Sequence, residues 1–347
     1  MSAQTQPLAQ PAAQPQPSPM LFFETINAYQ RTAALKAAIE LELFTAIGEG
    51  DSTPEAIALR CQTSVRGARI LADYLAVVGF LAKQNGHYAL TQDSATFLDR
   101  HSPAYIGGAI GFLTDDRLKD RFEQLTDCVR KGGTVQDDEG TMSVENPIWL
   151  EFARYMGKLQ ANPAEQIARM LHVDTAPHLQ VLDIAAGHGM FGISVLRHNP
   201  HAEVLAVDWP GVLRVAREHA EAAGVAGNWH AMPGSAFDVD FGAGYDLALV
   251  TGFVHHFDPP TVEQLLRKVR SALVHRGRVA IVEFVPNDDR VSPPAPAMFP
   301  LTMLTSTRAG DAYTFPELRQ MVTNAGFSSC EIHDIPNNFQ RLIVAAT

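Results

Sequence analysis

The sequence predicts an α/β fold: a doubly wound, mainly parallel sheet preceded by a smaller α-rich module. Three observations predict it. From residue 179 onward, short apolar runs (LQVLDI, AEVLAVD, YDLALVT and RVAIVEF) alternate with helical stretches, the mark of buried parallel strands joined by helices. The last two runs, SCEIHDI and RLIVAA, are linked by a Pro-Asn-Asn turn. So short a link predicts an antiparallel hairpin at the end of the sheet. Before residue 100 the order is instead helix, helix, short hairpin.

Residues 1–19 hold five Pro and five Gln and read as a disordered tail without the basic start or apolar stretch of a signal peptide. Residues 21–48 carry apolar residues at helical spacing and predict one or two helices. Ser52 then stands as an N-cap, with Glu55 completing a capping box. The stretch SVRGARILADYLAVVGFL gives a second helix ending near Gly79. Asn85-Gly86 marks a type I′ hairpin. This layout matches a winged helix-turn-helix. Residues 101–178 read as mostly helical, with a polar loop near RKGGTVQDDEGT and a substrate-facing helix around Trp149–Gln160. In the α/β part, Pro260–Leu273 is amphipathic, with Val262, Leu265, Leu266, Val269 and Leu273 on one stripe. The expected division is a tail (1–19), an α-rich module (20–100), a helical connector (101–165) and a catalytic domain (166–347).

Bulk properties narrow the function. The 347 residues carry a net charge of −11, which disfavours general nucleic-acid binding or adhesion to an anionic membrane. Residues 51–100 hold five basic and five acidic side chains, so the winged-helix layout lacks a phosphate-binding face. Packing and dimerisation are the expected use. Cys61, Cys128 and Cys330 show no metal spacing and read as reduced thiols of a cytoplasmic protein. No apolar run is long enough to span a membrane.

The chemistry concentrates at LDIAAGHGMFG, where Gly187, Gly189 and Gly192 form a glycine-rich turn between a strand and a helix. Glycines let the backbone approach a ligand closely. Asp208, at the end of the next strand, stands where an acid holds ribose hydroxyls. Asp183, four residues before the first glycine, discriminates between ligands. A pyrophosphate about 4 Å from a carboxylate is repelled by roughly 4 kcal/mol at an effective dielectric of 20. S-adenosylmethionine carries no phosphate, and its sulfonium and ammonium are cationic. No GK[ST] follows, so the turn is not a P-loop.

From Asp183 onward the sequence resembles the class I S-adenosylmethionine-dependent methyltransferases. The N-terminal module narrows the resemblance to small-molecule O-methyltransferases similar to the caffeate and hydroxyindole enzymes and to bacterial polyketide and carotenoid enzymes. The resemblance implies a Rossmann-like sheet with a reversed last strand, a winged-helix-like dimerisation domain, and a homodimer. It also implies S-adenosylmethionine as cofactor, a small hydroxylated substrate, and no metal, nucleic-acid or membrane partner. By the family pattern, Asp208 holds the ribose with Trp209 beside it. The adenine motif, usually Gly-Asp-Met-Phe, reads Gly234-Ser235-Ala236-Phe237 here, so Ser235 replaces the acid. A lysine common near the adenine is Thr251.

The family's His-Asp-Trp stretch matches His255-His256-Phe257. The resemblance makes His255 the general base and Glu283 its orienting carboxylate. His256 reads as a structural neighbour. A second family glutamate falls at Ala312, with Asp311 one place off. Met156 and Met303 match the methionines that clamp the substrate ring, with Phe152 and Phe299 as apolar companions. Thr307 stands where a substrate-binding asparagine is common. The residue types suit methyl transfer to oxygen. A phenol titrates near 10 and a histidine near 6.5, a mismatch of roughly 5 kcal/mol that a nearby sulfonium and a glutamate facing the imidazolium reduce. Two alternatives share the fold. One keeps the cofactor for decarboxylation, hydroxylation or cyclisation. The other is a non-catalytic dimeric binding protein or regulator.

Overall fold

The structure, a computed structural model, describes residues 17–136 and 140–347. The expected tail therefore lies outside the described residues except at its last three positions, as does the centre of the polar loop near residue 138. The chain divides into two compact units, Met1–Tyr105 and Ile106–Thr347.

The first unit contains α1 (Met20–Ile26), α2 (Tyr29–Glu40), α3 (Leu43–Gly48), α4 (Pro54–Arg60), α5 (Val65–Val77), β1 (Leu81–Gln84), β2 (His87–Leu90) and α6 (Gln92–Phe97). Three helices replace the expected one or two over 21–48. The second break falls at Glu42, whose φ of 57° is left-handed and cannot continue an α-helix. The cap of α4 is Thr53, not Ser52: its hydroxyl accepts the Ala56 N–H at 3.2 Å. Pro54 is the reason, since its fixed φ suits the first helical position and moves the start by one residue. Ser52 instead hydrogen-bonds His87 at 2.9 Å. The hairpin forms as expected, with β1 and β2 antiparallel and both Asn85 (φ 51°) and Gly86 (φ 83°) left-handed, as a type I′ turn requires. Helix α1 buries none of its residues, and Leu21, Phe22, Phe23 and Ile26 are exposed.

The second unit begins with α7 (Ile110–Leu113), α8 (Asp116–Glu123), α9 (Leu125–Lys131) and the long α10 (Ile148–Met170). There follow β3 (Leu179–Ile184), α11 (Met190–His198), β4 (Ala202–Asp208), α12 (Pro210–Ala222), β5 (Trp229–Pro233) and β6 (Tyr245–Thr251). The chain then forms α13 (Pro259–Ala272), β7 (Leu273–Glu283), α14 (Pro294–Met298), α15 (Pro300–Ser306), α16 (Phe315–Asn324), β8 (Ser329–Asp334) and β9 (Arg341–Ala346). The boundary expected between residues 165 and 166 falls inside α10.

Seven strands form one sheet in the order β5-β4-β3-β6-β7-β9-β8. Strands β3 to β7 pair in parallel, and β9 runs antiparallel between β7 and β8. The result is the Rossmann-like sheet with a reversed strand. Alternate strand residues feed two cores. One joins Val181, Val204 and Leu247 to residues of α10, α11 and α12. The other joins Leu182, Ile184 and Val250 to α13 and α16. Each such buried aliphatic side chain contributes about 1.5–3 kcal/mol. Helix α13 shows how the sequence builds this: Asp258 caps it by accepting the Thr261 N–H at 3.0 Å, and Val262, Leu265, Leu266 and Val269 of its predicted stripe are buried, while Leu273 instead begins β7. Among the described residues no helix is long and apolar enough to cross a membrane, and no side-chain cluster could hold a metal ion.

Candidate active site

The strand order reverses direction between β3 and β6. At the carboxyl ends of these strands, within the second unit, lies a cavity of about 520 Å³. This is where open α/β sheets bind ligands, and the size suits a small molecule.

The end of the cavity nearest His255 is built by β6 and β7. They pair in parallel with Thr251 opposite Val282, which sets Glu283 beside the turn after β6. Gly252 opens that turn with a left-handed φ of 60°, and a single 3-10 turn carries Val254–His256. One Glu283 oxygen accepts the backbone N–H of Val254 at 2.9 Å and of His255 at 3.4 Å. The other lies 2.5 Å from His255 Nδ1. Because the backbone N–H groups already face a carboxylate acceptor, the imidazole proton belongs on Nδ1. His255 Nε2 then carries a lone pair, and His255 is on the cavity wall. Glu283 stands behind it, buried and outside the lining. Glu283 is the only carboxylate hydrogen-bonded to His255 among the described residues. Asp311, the near match to the second family glutamate, faces Arg290 at 3.4 Å.

Much of the cavity wall is aromatic. Phe299 meets the His255 ring edge-on with centroids 4.9 Å apart and stacks on Phe284 at 4.1 Å. Helix α10 sends Trp149, Phe152, Met156 and Gln160 to the wall, and Met303 comes from α15. Phe152, Met156, Phe299 and Met303 are thus brought together as expected. Thr307 is not among the lining residues. Its hydroxyl donates to the Met303 carbonyl at 2.8 Å and accepts the Gly310 N–H at 2.9 Å, so it closes the end of α15. The nearby sequence hid several lining residues. Leu118 and Phe122 sit in the highly charged α8, where only their spacing of four signalled a shared face, and Phe112 comes from the short α7.

The other end holds the glycine turn. Asp208 and Gly187 line the cavity, with Trp209 beside them. The Asp208 carboxylate accepts the N–H of Gly187 at 2.9 Å and of Trp209 at 2.7 Å. Burial nevertheless pushes its carboxyl up to about 6. Gly187 has φ 55°, and a Cβ there would lie 3.1 Å from the Phe152 ring. His188 also lines the cavity, and burial lowers it to about 3, so it is neutral.

Asp183 does not reach this cavity. It is fully buried beneath the turn and accepts the Gly192 N–H at 3.2 Å. A Cβ on Gly192 would sit 2.8 Å from that oxygen, so the third glycine makes room for the acid, not for a ligand. The repulsion expected between Asp183 and a pyrophosphate therefore has no direct contact to act through. Burial, with Asp208 nearby, raises Asp183 to about 7. Gly189, with φ 77°, packs on Ala216 and is outside the lining too.

Ser235, Ala236 and Phe237 also lie outside the lining, whereas Thr251 is part of it. Ser235 accepts the Phe237 N–H at 3.1 Å, which shapes the turn. Lys268, unforeseen in the sequence, donates from α13 to the Ala236 and Phe237 carbonyls at 3.0 and 2.9 Å.

The fold and site define a Rossmann-like transferase with its ligand cavity at the carboxyl ends of the strands. Residues 23–100 match the O-methyltransferase dimerisation domain and residues 145–328 the O-methyltransferase domain. The chain belongs to the O-methyltransferase family. It is 28% identical to 3-hydroxy-5-methyl-1-naphthoate 3-O-methyltransferase of Streptomyces sahachiroi, over 89% of this chain and 90% of that one. A crystal structure of a candidate O-methyltransferase from Nostoc punctiforme superposes with a TM-score of 0.92 at 52% identity, covering 96% of this chain and all of the other. Human N-acetylserotonin methyltransferase, solved in complex with S-adenosylmethionine, has the same fold, with a TM-score of 0.82 at 19% identity over 94% of this chain and 97% of that one.

Proposed function

We propose that this O-methyltransferase methylates a hydroxyl of a small aromatic or polyketide-like metabolite, with His255 as general base and Glu283 as its orienting carboxylate. The observation that carries the reading is the buried pair itself. His255 Nδ1 is held by Glu283 at 2.5 Å, and the ring is on the wall of an aromatic cavity.

S-adenosylmethionine is the cofactor, and the residues fit it. Asp208 is a half-buried acid with only backbone donors, able to accept ribose hydroxyls. Gly187 keeps the wall beside it free of a side chain. When bound, the cofactor supplies a methyl group on a positively charged sulfur. The chain's own groups do the rest. Trp149, Phe152, Met156, Phe299 and Met303 exclude water and hold a planar ring. His255 Nε2 takes the hydroxyl proton. Glu283 stabilises the imidazolium that results. Its two backbone N–H partners keep it from rotating away.

The test is methyl transfer to hydroxylated naphthalenes and related phenols. His255→Ala should lower kcat by about 10²–10⁴ while leaving S-adenosylhomocysteine binding unchanged. Loss of both would place His255 in the fold instead.

The expected homodimer is supported by the dimerisation-domain match and by α1, whose apolar side chains Leu21, Phe22, Phe23 and Ile26 are exposed. Light scattering should return about twice the chain mass of 37.8 kDa.

A further inference from the structure

His256 shares the cavity wall with His255, and their ring centroids are 4.2 Å apart. Its other neighbours are aromatic. Trp149 meets it edge-on at 5.2 Å, with Phe253 at 6.4 Å and Phe257 at 6.2 Å. The residue is only 8% exposed, and Nδ1 is buried without a hydrogen-bond partner. Burial and the adjacent His255 hold the ring well below its ordinary pKa, so it is neutral. A neutral imidazole has one N–H and one lone pair. A sealed, unpaired N–H is rarer in proteins than an unpaired acceptor. The lone pair therefore belongs on Nδ1 and the hydrogen on Nε2, the nitrogen left to meet the cavity.

We propose that His256 determines acceptor specificity by donating its Nε2 hydrogen to a carbonyl oxygen next to the hydroxyl that is methylated. The proposal rests on His255 being the base. The pairing also has a chemical use. A phenol flanked by a carbonyl keeps its proton in an internal hydrogen bond. A donor that occupies the carbonyl frees that proton for His255 Nε2. The neutral ring selects by hydrogen bonding and not by charge, in keeping with the apolar surroundings.

The test compares 1-hydroxy-2-acetonaphthone with 2-ethyl-1-naphthol, which lacks only the carbonyl. Binding of each to the S-adenosylhomocysteine-loaded protein is measured by calorimetry. Wild type should prefer the ketone by about tenfold. His256→Gln, which keeps an N–H at similar reach, should retain the preference. His256→Phe should reduce the ratio to about one through weaker ketone binding, with S-adenosylhomocysteine affinity as the check on folding. In turnover, the loss should appear in KM for the ketone more than for the naphthol. A preference that survives in His256→Phe, or equal binding by wild type, overturns the proposal alone. Binding of neither compound by wild type overturns it together with the aromatic-acceptor reading.

Discussion

The two ends of the cavity treat their carboxylates differently. At the His255 end, Glu283 is well supplied: two backbone N–H groups and one imidazole N–H surround it. At the glycine turn, Asp208 on the cavity wall has backbone donors only, and its carboxyl is raised. The difference separates two kinds of preparation. A proton acceptor must be assembled before substrate arrives, because its geometry sets the rate. A ligand-holding acid can be left short of partners, because the ligand supplies them.

The comparison can be broken most sharply at Glu283. Glu283→Gln keeps the shape but removes the charge facing the imidazolium. We expect kcat to fall by about 10²-fold, with S-adenosylhomocysteine affinity unchanged in calorimetry. An affinity loss as large as the rate loss would mean that the two ends are not separable.

Asp208→Ala should do the reverse, weakening S-adenosylhomocysteine binding by about 10–100-fold through lost charge-assisted hydrogen bonds. The wild-type pH dependence sharpens this. With a free carboxyl near 6, donors from the ligand favour the ionised form, so binding near pH 6 releases protons and affinity falls below that pH. Calorimetry in buffers of different ionisation enthalpy measures the release. It should vanish in Asp208→Ala.

The effect most remote from the cavity belongs to Asp183. Its folded value of about 7 lies above the ordinary 3.8, so between these the folded state binds more protons than the unfolded state. The contribution of Asp183 to stability without cofactor therefore falls as pH rises from about 4 to 7, by a few kcal/mol at most, and is gone above 7. Asp183→Asn should flatten that slope in denaturant titrations at pH 5 and pH 8. The slope is the readout, since the new amide also has a buried N–H to satisfy.

Much of this was legible in the sequence because it is written in local patterns. Apolar runs marked the strands β3, β4, β6 and β7, and the Asn-Gly pair fixed a hairpin. Strand β5 was not legible: WHAMP is short and mixed, and it becomes a strand by pairing with β4 at the sheet edge. His255 and Glu283 could be matched by motif and spacing, and they do lie together. What failed was depth. Spacing put Asp183 near the turn but could not say that Gly192 draws it underneath. Nor could it show that Thr307 turns back on its own helix, or that Lys268 crosses from α13 to the loop after β5.

The reversed strand has a consequence in time. Strand β9 is last in the chain yet interior to the sheet, and Arg341 pairs with Glu283 across the β7–β9 register. Until β9 docks, β7 is an edge strand and the segment bearing Glu283 is flanked on one side only. The carboxylate bonded to His255 thus owes its second flank to a strand that lies well beyond it in the sequence. The surroundings of Glu283 are complete only when that distant segment pairs with β7, whereas the glycine turn lies between β3 and β4, which are neighbours both in sequence and in the sheet.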